Sequence, residues 1–493
     1  MIRRVRVLIA VVLVLYAVLF VQLNLTQLAR GEELREHPLN TRDLEQDFTG
    51  PRGPIVTADG QIMAVTEEVG GSLERLRVYP DGPLYAAVTG YLSLNFGAEG
   101  IERVWNDELA GSTTAQQLGS LSAIFDTDPR VATITSTIDS RLQIAARDAL
   151  GDRRGSVVAI DPNTGDVLAM WSFPSYDPNE LSSHDLPAVA AARERLNEDP
   201  DTPLRVRAYR ETFFPGSTFK VVTAAAALET GFATPTEPVY EATDQYVPPL
   251  TTRPIRNFGG STCGGDLTEI LRVSCNTAFA ELGVDLGAEV LADAAGDAGF
   301  NNVPPFDLPD AEPSQFPDVE VFDQNTPLLA QAAIGQFDVR ATPLHMALIA
   351  AGIANRGEIL APRVVDEVRT VDDVLSDPDP ETWRRAMSAT SAATLRDLMA
   401  IVAEDGTARG VLPPGVTGGA KTGTAQLSAD TEDTNAWIIG FAPLEAPQIA
   451  FAVVVEGGGG TGQQTGGGTA APIANAVLTT ALDAGLLTPD PPG

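Results

Sequence analysis

The chain begins with an unbroken apolar run, and helix-like and strand-like patterns alternate after it. Between Val7 and Val21 the only polar side chain is Tyr16, and apolar residues continue as far as Leu25. A helix needs about 20 residues to cross a bilayer. Residues 5–25 therefore predict one membrane-spanning helix.

Three arginines precede this run, at positions 3, 4 and 6. Positive residues stay on the cytoplasmic side, so residues 1–4 are predicted to be a cytoplasmic tail and the chain beyond residue 25 to be exported. A cleaved signal peptide is the alternative. No small-x-small cleavage site follows the run closely, and no cysteine there offers lipid attachment, which favours an uncleaved anchor.

Beyond the anchor, the periodicity changes several times. Residues 26–130 are mixed and rich in turns, which predicts a small extracytoplasmic pedestal or linker. Residues 139–150 have helical periodicity. The apolar runs 156–161 and 166–171 flank an Asn-Thr-Gly turn, which predicts a hairpin.

From about residue 216 to 400 the pattern is mostly helical, and strand patterns then return. Helical runs lie at 219–229, 267–273, 277–287, 344–354 and 391–404. Strand-like runs lie at 418–426, 436–442 and 448–455, before a last helical run at 472–487. This order predicts an α/β (α+β) fold, in which an antiparallel sheet packs between helices and a helical insertion separates its early strands from its late ones.

The composition is that of a globular protein, but the charge is unusual. The 493 residues suffice for two or three domains, and the net charge is −33. Such an acidic surface disfavours nucleic acid and anionic lipid headgroups as partners, and solubility is its simplest explanation. Of the 33 basic residues only Lys220 and Lys421 are lysines. Because a buried lysine, unlike arginine, can lose its proton near neutral pH, these two are the first candidates for chemistry.

Two cysteines, Cys263 and Cys275, fall in the exported part, twelve positions apart. An oxidising compartment permits a disulfide between them, and two separate buried thiols are the alternative. Two cysteines alone cannot form a cysteine-based zinc site.

The first lysine closes the motif Pro215-Gly-Ser-Thr-Phe-Lys220, which an alanine-rich helical run follows. The helix therefore starts near Ser217, and the i, i+3 spacing puts Ser217 and Lys220 on one face. A serine hydroxyl is a weak nucleophile until a base takes its proton, and a lysine with a lowered pKa can be that base. A capping serine beside a solvated lysine is the structural alternative.

Two further motifs lie later in the chain. Ser274-Cys-Asn276 stands between two helical runs, where a simple helix cap would also fit. Lys421-Thr-Gly-Thr-Ala425 lies on a predicted strand, where the lysine and the hydroxyls of Thr422 and Thr424 could hold a carboxylate. Gly423 would let a ligand or another segment approach the backbone. An ordinary edge-strand segment is the alternative.

Together the three motifs match the S-x-x-K, S-D-N and K-T-G set of penicillin-binding proteins and class A β-lactamases. Cys275 replaces the aspartate of the middle motif, which counts against a class A β-lactamase. The chain resembles class B penicillin-binding proteins, in particular the PbpA-type transpeptidases of actinobacteria, along nearly its whole length after the anchor. Besides the motifs, the resemblance is carried by residues 52–60, 137–143, 159–170, 174–179, 334–336, 341–344, 355–357 and 435–443.

The resemblance implies a serine transpeptidase/β-lactamase-like fold and assigns roles to the motif residues. Ser217 would attack the penultimate D-Ala carbonyl of a stem peptide, and Lys220 would take its proton. Ser274 would relay protons with Lys220, and Asn276 would bind the peptide backbone. β-Lactams would acylate the same Ser217.

At the third motif, the resemblance implies that Lys421, Thr422, Gly423 and Thr424 hold the terminal carboxylate of the substrate. The backbone N–H groups of Ser217 and Thr424 would form the oxyanion hole. An amine of a neighbouring stem peptide would then resolve the acyl-enzyme, with D-Ala-D-Ala carboxypeptidase as a side activity. No metal or nucleotide cofactor is implied.

The same resemblance sets the domain plan and the partners. Residues 131–487 would be the transpeptidase domain on the pedestal 26–130, and residues 488–493 a tail. The expected ligands are stem peptides ending in D-Ala-D-Ala and β-lactams. Since no glycosyltransferase domain is visible, a RodA/FtsW-type membrane polymerase would be a partner, and nucleic acid would not. The expected location is the cell membrane, with the catalytic domain outside, in septation or elongation.

Other interpretations of the sequence are weaker. The three histidines, at 37, 184 and 345, stand at no serine motif, which disfavours a Ser-His-Asp triad. Residues 415–422 fall one glycine short of a phosphate-binding loop, and the glycine run at 457–462 matches a dinucleotide fingerprint by chance. A β-lactam-hydrolysing enzyme and a non-catalytic β-lactam sensor or division scaffold stay open as alternative functions.

Overall fold

A computed structural model describes residues 2–29, 48–70, 73–113, 116, 131–427, 433–458 and 462–489. Its α-helices within these ranges are Ile2–Ala29, Gly82–Thr89, Gly100–Val104, Asn106–Ala110, Ser140–Leu150, Asn179–Ser182, Leu186–Glu198, Arg207–Arg210, Lys220–Glu229, Leu267–Arg272, Asn276–Leu286, Ala288–Asp297, Thr326–Ala332, Pro343–Ala354, Ala389–Asp405 and Ala471–Asp483. Its strands, numbered β1 to β19 in chain order, are Ile55–Val56, Ile62–Glu68, Arg75–Val78, Leu92–Ser93, Gly97–Ala98, Thr133–Ser136, Gly155–Ile160, Val167–Phe173, Tyr240–Thr243, Gln245–Tyr246, Ile255–Arg256, Cys263–Gly265, Glu358–Leu360, Val365–Arg369, Val374–Ser376, Thr382–Arg385, Gly419–Gln426, Thr434–Ala442 and Ile449–Val455.

Five strands form the central sheet, in the order β17-β18-β19-β7-β8, and every neighbouring pair is antiparallel. Strands β18 and β19 are buried at every position, which is why their sequences are nearly continuous apolar runs. Helix Pro343–Ala354, also buried throughout, packs on this sheet. Helices Ser140–Leu150 and Ala471–Asp483 pack on it and on each other. The predicted antiparallel sheet between helices, with its β7–β8 hairpin, is therefore confirmed.

A second sheet joins three distant segments of the chain, in the order β15-β14-β6-β1-β2-β3. Strands β14 and β15 come from a part of the chain that the sequence predicted to be mostly helical. That prediction was wrong for residues 240–265 and 358–385, where β9 to β16 lie among the helices. These strands have only two to five residues each, so no strand period is visible, and pairing with distant partners decides their structure.

A buried carboxylate ties this sheet to the short helices beside it. Glu102 accepts hydrogen bonds from Arg52 Nε at 2.7 Å and from Arg77 Nε at 2.6 Å. The Tyr79 hydroxyl donates to the same carboxylate at 3.2 Å. The cluster lies within the predicted pedestal, of which residues 30–47, 71–72, 114–115 and 117–130 fall outside the described residues.

Residues Ile2–Ala29 form one helix of 28 residues. Side chains along its middle are exposed, for example Leu13 at 64% and Phe20 at 70%. The side chains of residues 2, 5, 8, 21 and 23–29 lie outside the described set. Within the part of the chain that the structure describes, no helix is long and apolar enough to cross a membrane.

Candidate active site

Ser217 lies in a short 3₁₀ turn, Gly216–Thr218, that leads into helix Lys220–Glu229. The turn packs against β17, which is the edge strand of the central sheet. Gly216 has φ +52°, and a Cβ there would lie 3.0 Å from the carbonyl oxygen of Thr424. Both facts favour glycine immediately before the serine, so the sequence Pro-Gly-Ser sets the approach of the turn to the strand.

Lys220, the first residue of that helix, is fully buried. Its Nζ donates to the carbonyl oxygen of Ser274 and to Asn276 Oδ1, each at 2.7 Å, and lies 3.4 Å from Ser274 Oγ. It also lies 5.4 Å from the ring centroid of Phe279. Among the described residues no acidic side chain forms an ion pair with this amine, so it has polar partners but no counter-charge.

Lys421 approaches the same serine from the sheet. It lies on β17, fully buried, and its Nζ donates to Ser274 Oγ and to the carbonyl oxygen of Thr422, each at 2.8 Å. Ser274 Oγ is therefore within hydrogen-bond distance of both lysine amines. Motifs that are far apart along the chain converge on one hydroxyl.

The position of Ser274 is set by the end of helix Leu267–Arg272. The N–H of Ser274 donates to the Leu271 carbonyl oxygen at 3.2 Å, and the N–H of Cys275 to that of Ile270 at 2.8 Å, which is the Schellman pattern of a helix C-terminus. Ser274 consequently adopts φ +60°, where glycine is usual and another residue costs about 1–2 kcal/mol. The strained residue directs its hydroxyl and its carbonyl towards the buried amines, and such strain is typical of functional sites.

The middle motif is also held by the segment that carries β11 and β12. The structure joins Cys263 of β12 to Cys275 in a disulfide, with Cα atoms 5.8 Å apart. Asn276 Nδ2 donates to the carbonyl oxygen of Arg256 in β11 at 3.1 Å. The segment that carries β11 and β12 is therefore fixed directly to the motif.

Burial without a counter-charge lowers the pKa of both lysines. For Lys220, burial first and the charge of Lys421 second bring the pKa well below its ordinary value of 10.5. Burial lowers the pKa of Lys421 to about 7. The lowered pKa favours the neutral amine of Lys220, which can accept a proton, whereas Lys421 still carries charge for part of the time at pH 7.

The three motifs open onto a cleft of about 970 Å³, a volume suited to a peptide or a drug-sized molecule. Its lining includes Ser217, Ser274, Asn276, Thr422 and Thr424. The two lysine side chains are fully buried behind this lining. The arrangement can therefore generate a nucleophilic serine and hold a negative charge beside it.

Two family models match the chain: the penicillin binding protein transpeptidase domain over residues 155–479, and the penicillin binding protein A dimerisation domain over residues 52–134. The chain belongs to the penicillin-binding protein family. Peptidoglycan D,D-transpeptidase PbpA of Mycolicibacterium smegmatis is 42% identical to it over 98% of this chain and 99% of the relative. PbpA of Mycobacterium tuberculosis is 39% identical over 96% of this chain and 97% of the relative.

Solved structures of penicillin-binding protein A from M. tuberculosis are similar to most of this chain. Its ceftriaxone acyl-enzyme complex matches with a TM-score of 0.82 and 38% identity, over 89% of this chain and 100% of that one. Its penicillin G acyl-enzyme complex matches with a TM-score of 0.81 and 39% identity, over 88% of this chain and 100% of that one. The family and the transpeptidase fold predicted from the sequence are confirmed.

One expected contact of this penicillin-binding protein is not formed. Within the described residues, Ser217 Oγ makes no hydrogen bond to Lys220 Nζ, whose hydrogen bonds all go to the middle motif. Catalytic hydrogen bonds often tighten only in the reactive complex. The structure thus places Ser217 in the turn that leads directly into the helix of Lys220, and the proton transfer between them stays a prediction.

Gly423 allows the close approach that its motif suggested. A Cβ on Gly423 would lie 2.8 Å from the carbonyl oxygen of Pro215 and 3.0 Å from Thr218 Cγ2. The approaching segment is the turn that carries Ser217. Glycine here lets the edge strand and the nucleophile turn pack directly on each other.

Some cleft residues of the penicillin-binding protein carried no signal in the sequence. Thr407 Oγ1 accepts a hydrogen bond from Thr422 Oγ1 at 2.6 Å and lines the cleft, but it stands in an irregular turn outside any motif. Arg253 and Arg256 also line the cleft. Asn276 was expected to bind the peptide backbone, yet Lys220 and a backbone carbonyl already occupy its amide, so that role stays a prediction.

Proposed function

We infer that this penicillin-binding protein is a peptidoglycan D,D-transpeptidase, which acts through an acyl-enzyme on Ser217 and is a target of β-lactams. Relatives of that name at 42% and 39% identity support the activity. The acyl-enzyme complexes of the M. tuberculosis protein support the β-lactam target. The observation that carries the inference is that Ser217 and Ser274 line one cleft, and that Ser274 Oγ lies within hydrogen-bond distance of two buried lysine amines. Of these lysines, Lys220 has a pKa well below its ordinary value.

Acylation follows from the state of the two amines. Ser217 Oγ attacks the carbonyl carbon of the penultimate D-Ala while its proton passes to neutral Lys220. The N–H groups of Ser217 and Thr424 stabilise the oxyanion. When the intermediate collapses, the C–N bond breaks and the terminal D-Ala leaves as an amine. Ser274 Oγ, which contacts both lysines, returns the proton to that amine.

Deacylation repeats these steps in reverse with a different amine. The amino group of a neighbouring stem peptide attacks the ester carbonyl, Ser217 leaves and regains its proton, and the new amide is the cross-link. In the preceding acylation step, Lys421 in its charged form, with Thr422, Gly423 and Thr424, holds the terminal carboxylate of the donor, which departs with the released D-Ala. Water in place of the amine gives the carboxypeptidase side reaction.

Fluorescent penicillin tests the proposed chemistry on the purified full chain. The native protein should take up the label and keep it through gel electrophoresis. Ser217→Ala should take up none, whereas Ser261→Ala, which removes another cleft serine, should label normally. Normal labelling of Ser217→Ala would exclude the mechanism. Label that is lost within seconds would favour the alternative, a β-lactam-hydrolysing enzyme.

The proposal includes a place at the membrane. Residues 5–25 would be a single-pass anchor with the N-terminus in the cytoplasm, because an apolar run follows three arginines in the sequence. The transpeptidase domain, 131–487, would then stand outside the cell on the pedestal 26–130, beside a RodA/FtsW-type polymerase that makes the glycan strands.

Extraction of cell membranes with alkaline carbonate should leave the chain in the pellet, and its release would contradict the anchor. Crosslinked pulldown should recover the polymerase.

A further inference from the structure

The catalytic cleft carries a charge opposite to that of the chain as a whole. The chain has 66 acidic residues and a net charge of −33. Nevertheless, among the described residues that line the cleft there is no aspartate or glutamate. The charged side chains in that lining are Arg253 and Arg256. The lining of the cleft is therefore positive in an otherwise acidic protein, and such a region concentrates anions.

These arginines lie on a wall that is attached to the catalytic motif. Residues 253–259 form one side of the cleft and include β11. The carbonyl oxygen of Arg256 accepts from Asn276 Nδ2 at 3.1 Å, and Asn257 Oδ1 accepts from the N–H of Thr277 at 3.0 Å. The arginines are therefore held in register with the residues that surround the nucleophile.

The two guanidinium groups are available for a ligand. Both side chains are exposed, and within the described residues Arg253 forms no ion pair. Arg256 has one partner, Asp244, at 3.6 Å, and both of these side chains are more than half exposed. Exposed pairs of this kind contribute little. Arginine binds carboxylates through two parallel hydrogen bonds, so a carboxylate is the ligand that this pair of residues fits.

We propose that Arg253 and Arg256 form a second anion-binding subsite, which recognises a carboxylate along the body of a stem peptide rather than its terminal carboxylate. The inference rests on the proposed function, because the terminal carboxylate is already assigned to the third motif. A second carboxylate, on a stem peptide bound in the same cleft, would meet Arg253 and Arg256. The carboxylate could belong to the donor stem or to the acceptor stem.

The test measures kcat and KM of the full chain on synthetic stem peptides ending in D-Ala-D-Ala, with the internal side-chain carboxylate either free or amidated. For the double variant Arg253→Gln, Arg256→Gln, kcat/KM on the free-carboxylate donor should fall about tenfold, mainly through KM. On the amidated donor it should change less than about twofold. Arg253→Lys with native Arg256 should lose less, because a point charge remains.

A matched control separates this effect from a general loss of positive charge. Arg147→Gln removes a partly exposed arginine that pairs with Asp148 on a helix and does not line the cleft. It should leave both substrates unaffected. Acylation by benzylpenicillin should be normal in all variants, because that molecule lacks the remote carboxylate.

Each outcome decides the proposal. If the double variant is impaired only when the acceptor peptide carries the free carboxylate, the subsite is supported and belongs to the acceptor stem. If free and amidated peptides lose activity equally, or neither loses any, the subsite is excluded. Failure of the native protein to bind penicillin would instead exclude the proposed function, and the two failures are therefore distinguishable.

Discussion

Among the described residues, two buried clusters of charged side chains differ in how their charge is compensated. In the pedestal, Glu102 lies between Arg52 and Arg77, with N···O distances of 2.7 and 2.6 Å. At the cleft, Lys220 and Lys421 share one serine hydroxyl. Among the described residues neither lysine has an acidic partner.

The comparison shows how similar burial leads to different chemistry. For Glu102, burial alone would raise the pKa, but the charges of Arg77 and Arg52 outweigh it, so the pKa is lowered and the carboxylate stays ionised. For Lys220 and Lys421 nothing offsets burial, and both pKa values fall. A compensated charge holds segments together, whereas an uncompensated amine gives up its proton and becomes a base.

The largest expected effect comes from placing a permanent positive charge at residue 220. In Lys220→Arg the guanidinium cannot lose its proton, so Ser217 loses its base. The rate constant of acylation by benzylpenicillin should fall by about a thousandfold, measured by stopped-flow or by time-resolved labelling. The control is Arg195→Lys, an exposed exchange elsewhere, which should acylate normally. Acylation of Lys220→Arg within tenfold of native would mean that another group is the base.

Removing the compensation in the pedestal should affect stability instead. Glu102→Gln leaves two guanidinium groups buried without a carboxylate, and breaking such a pair costs about 3–5 kcal/mol. The free energy of unfolding in urea should fall by that amount, while folded protein acylates at the native rate. Because the pKa of Glu102 is lowered on folding, its contribution should be present above the unfolded pKa of about 4.3 and be lost as the pH falls further. If the native protein and Glu102→Gln had equal free energies of unfolding, the Glu102 carboxylate would not compensate the two buried arginines.

Removing Lys421 should raise the free energy of unfolding, whereas removing the Glu102 carboxylate should lower it. Lys421→Met replaces a buried amine by an apolar side chain of similar length, and the protein should become more stable at pH 7 by about 2–4 kcal/mol. Acylation should be strongly impaired, since the carboxylate loses its cation. The surface control Arg147→Met should leave the unfolding free energy within about 0.5 kcal/mol of native.

The pH dependence of this gain follows from the pKa of Lys421. The folded value is about 7 and the unfolded value about 10.4, so between them the unfolded state binds more protons and native stability rises with pH. The advantage of Lys421→Met should therefore be largest at and below pH 7 and shrink towards pH 10. An advantage that does not vary between pH 7 and 10 would exclude the lowered pKa.

The sequence predicted the parts of the fold whose patterns are local. Strands β7, β8 and β17 to β19 are long enough to show apolar runs, and helix Ser140–Leu150 shows its period and its Asp139 cap. Strand β14, Val-Asp-Glu-Val-Arg, was not predicted, because it exists through pairing with β6, more than two hundred residues away. Short strands of this kind depend on tertiary partners and leave little trace in the sequence.

At the site, residue types were predictable and contacts were not. The scarcity of lysine and the three motifs identified Ser217, Lys220 and Lys421. That Ser274 Oγ contacts both lysines depends on a Schellman turn and on side-chain rotamers, which spacing does not encode. The cleft arginines stand outside any motif, so only the folded chain places them in the same cleft as the nucleophile.

The smallest expected effect concerns the strained residue between the lysines. Ser274→Ala and Ser274→Gly both remove the hydroxyl that contacts the two amines, so both should slow acylation by a similar factor. They differ at φ +60°, which glycine tolerates and alanine does not. Ser274→Gly should therefore be more stable to urea than Ser274→Ala by about 1 kcal/mol. If the alanine variant were as stable as the glycine variant, the backbone at Ser274 would be unstrained. Directing the Ser274 hydroxyl at the two lysine amines would then cost the protein no free energy of unfolding.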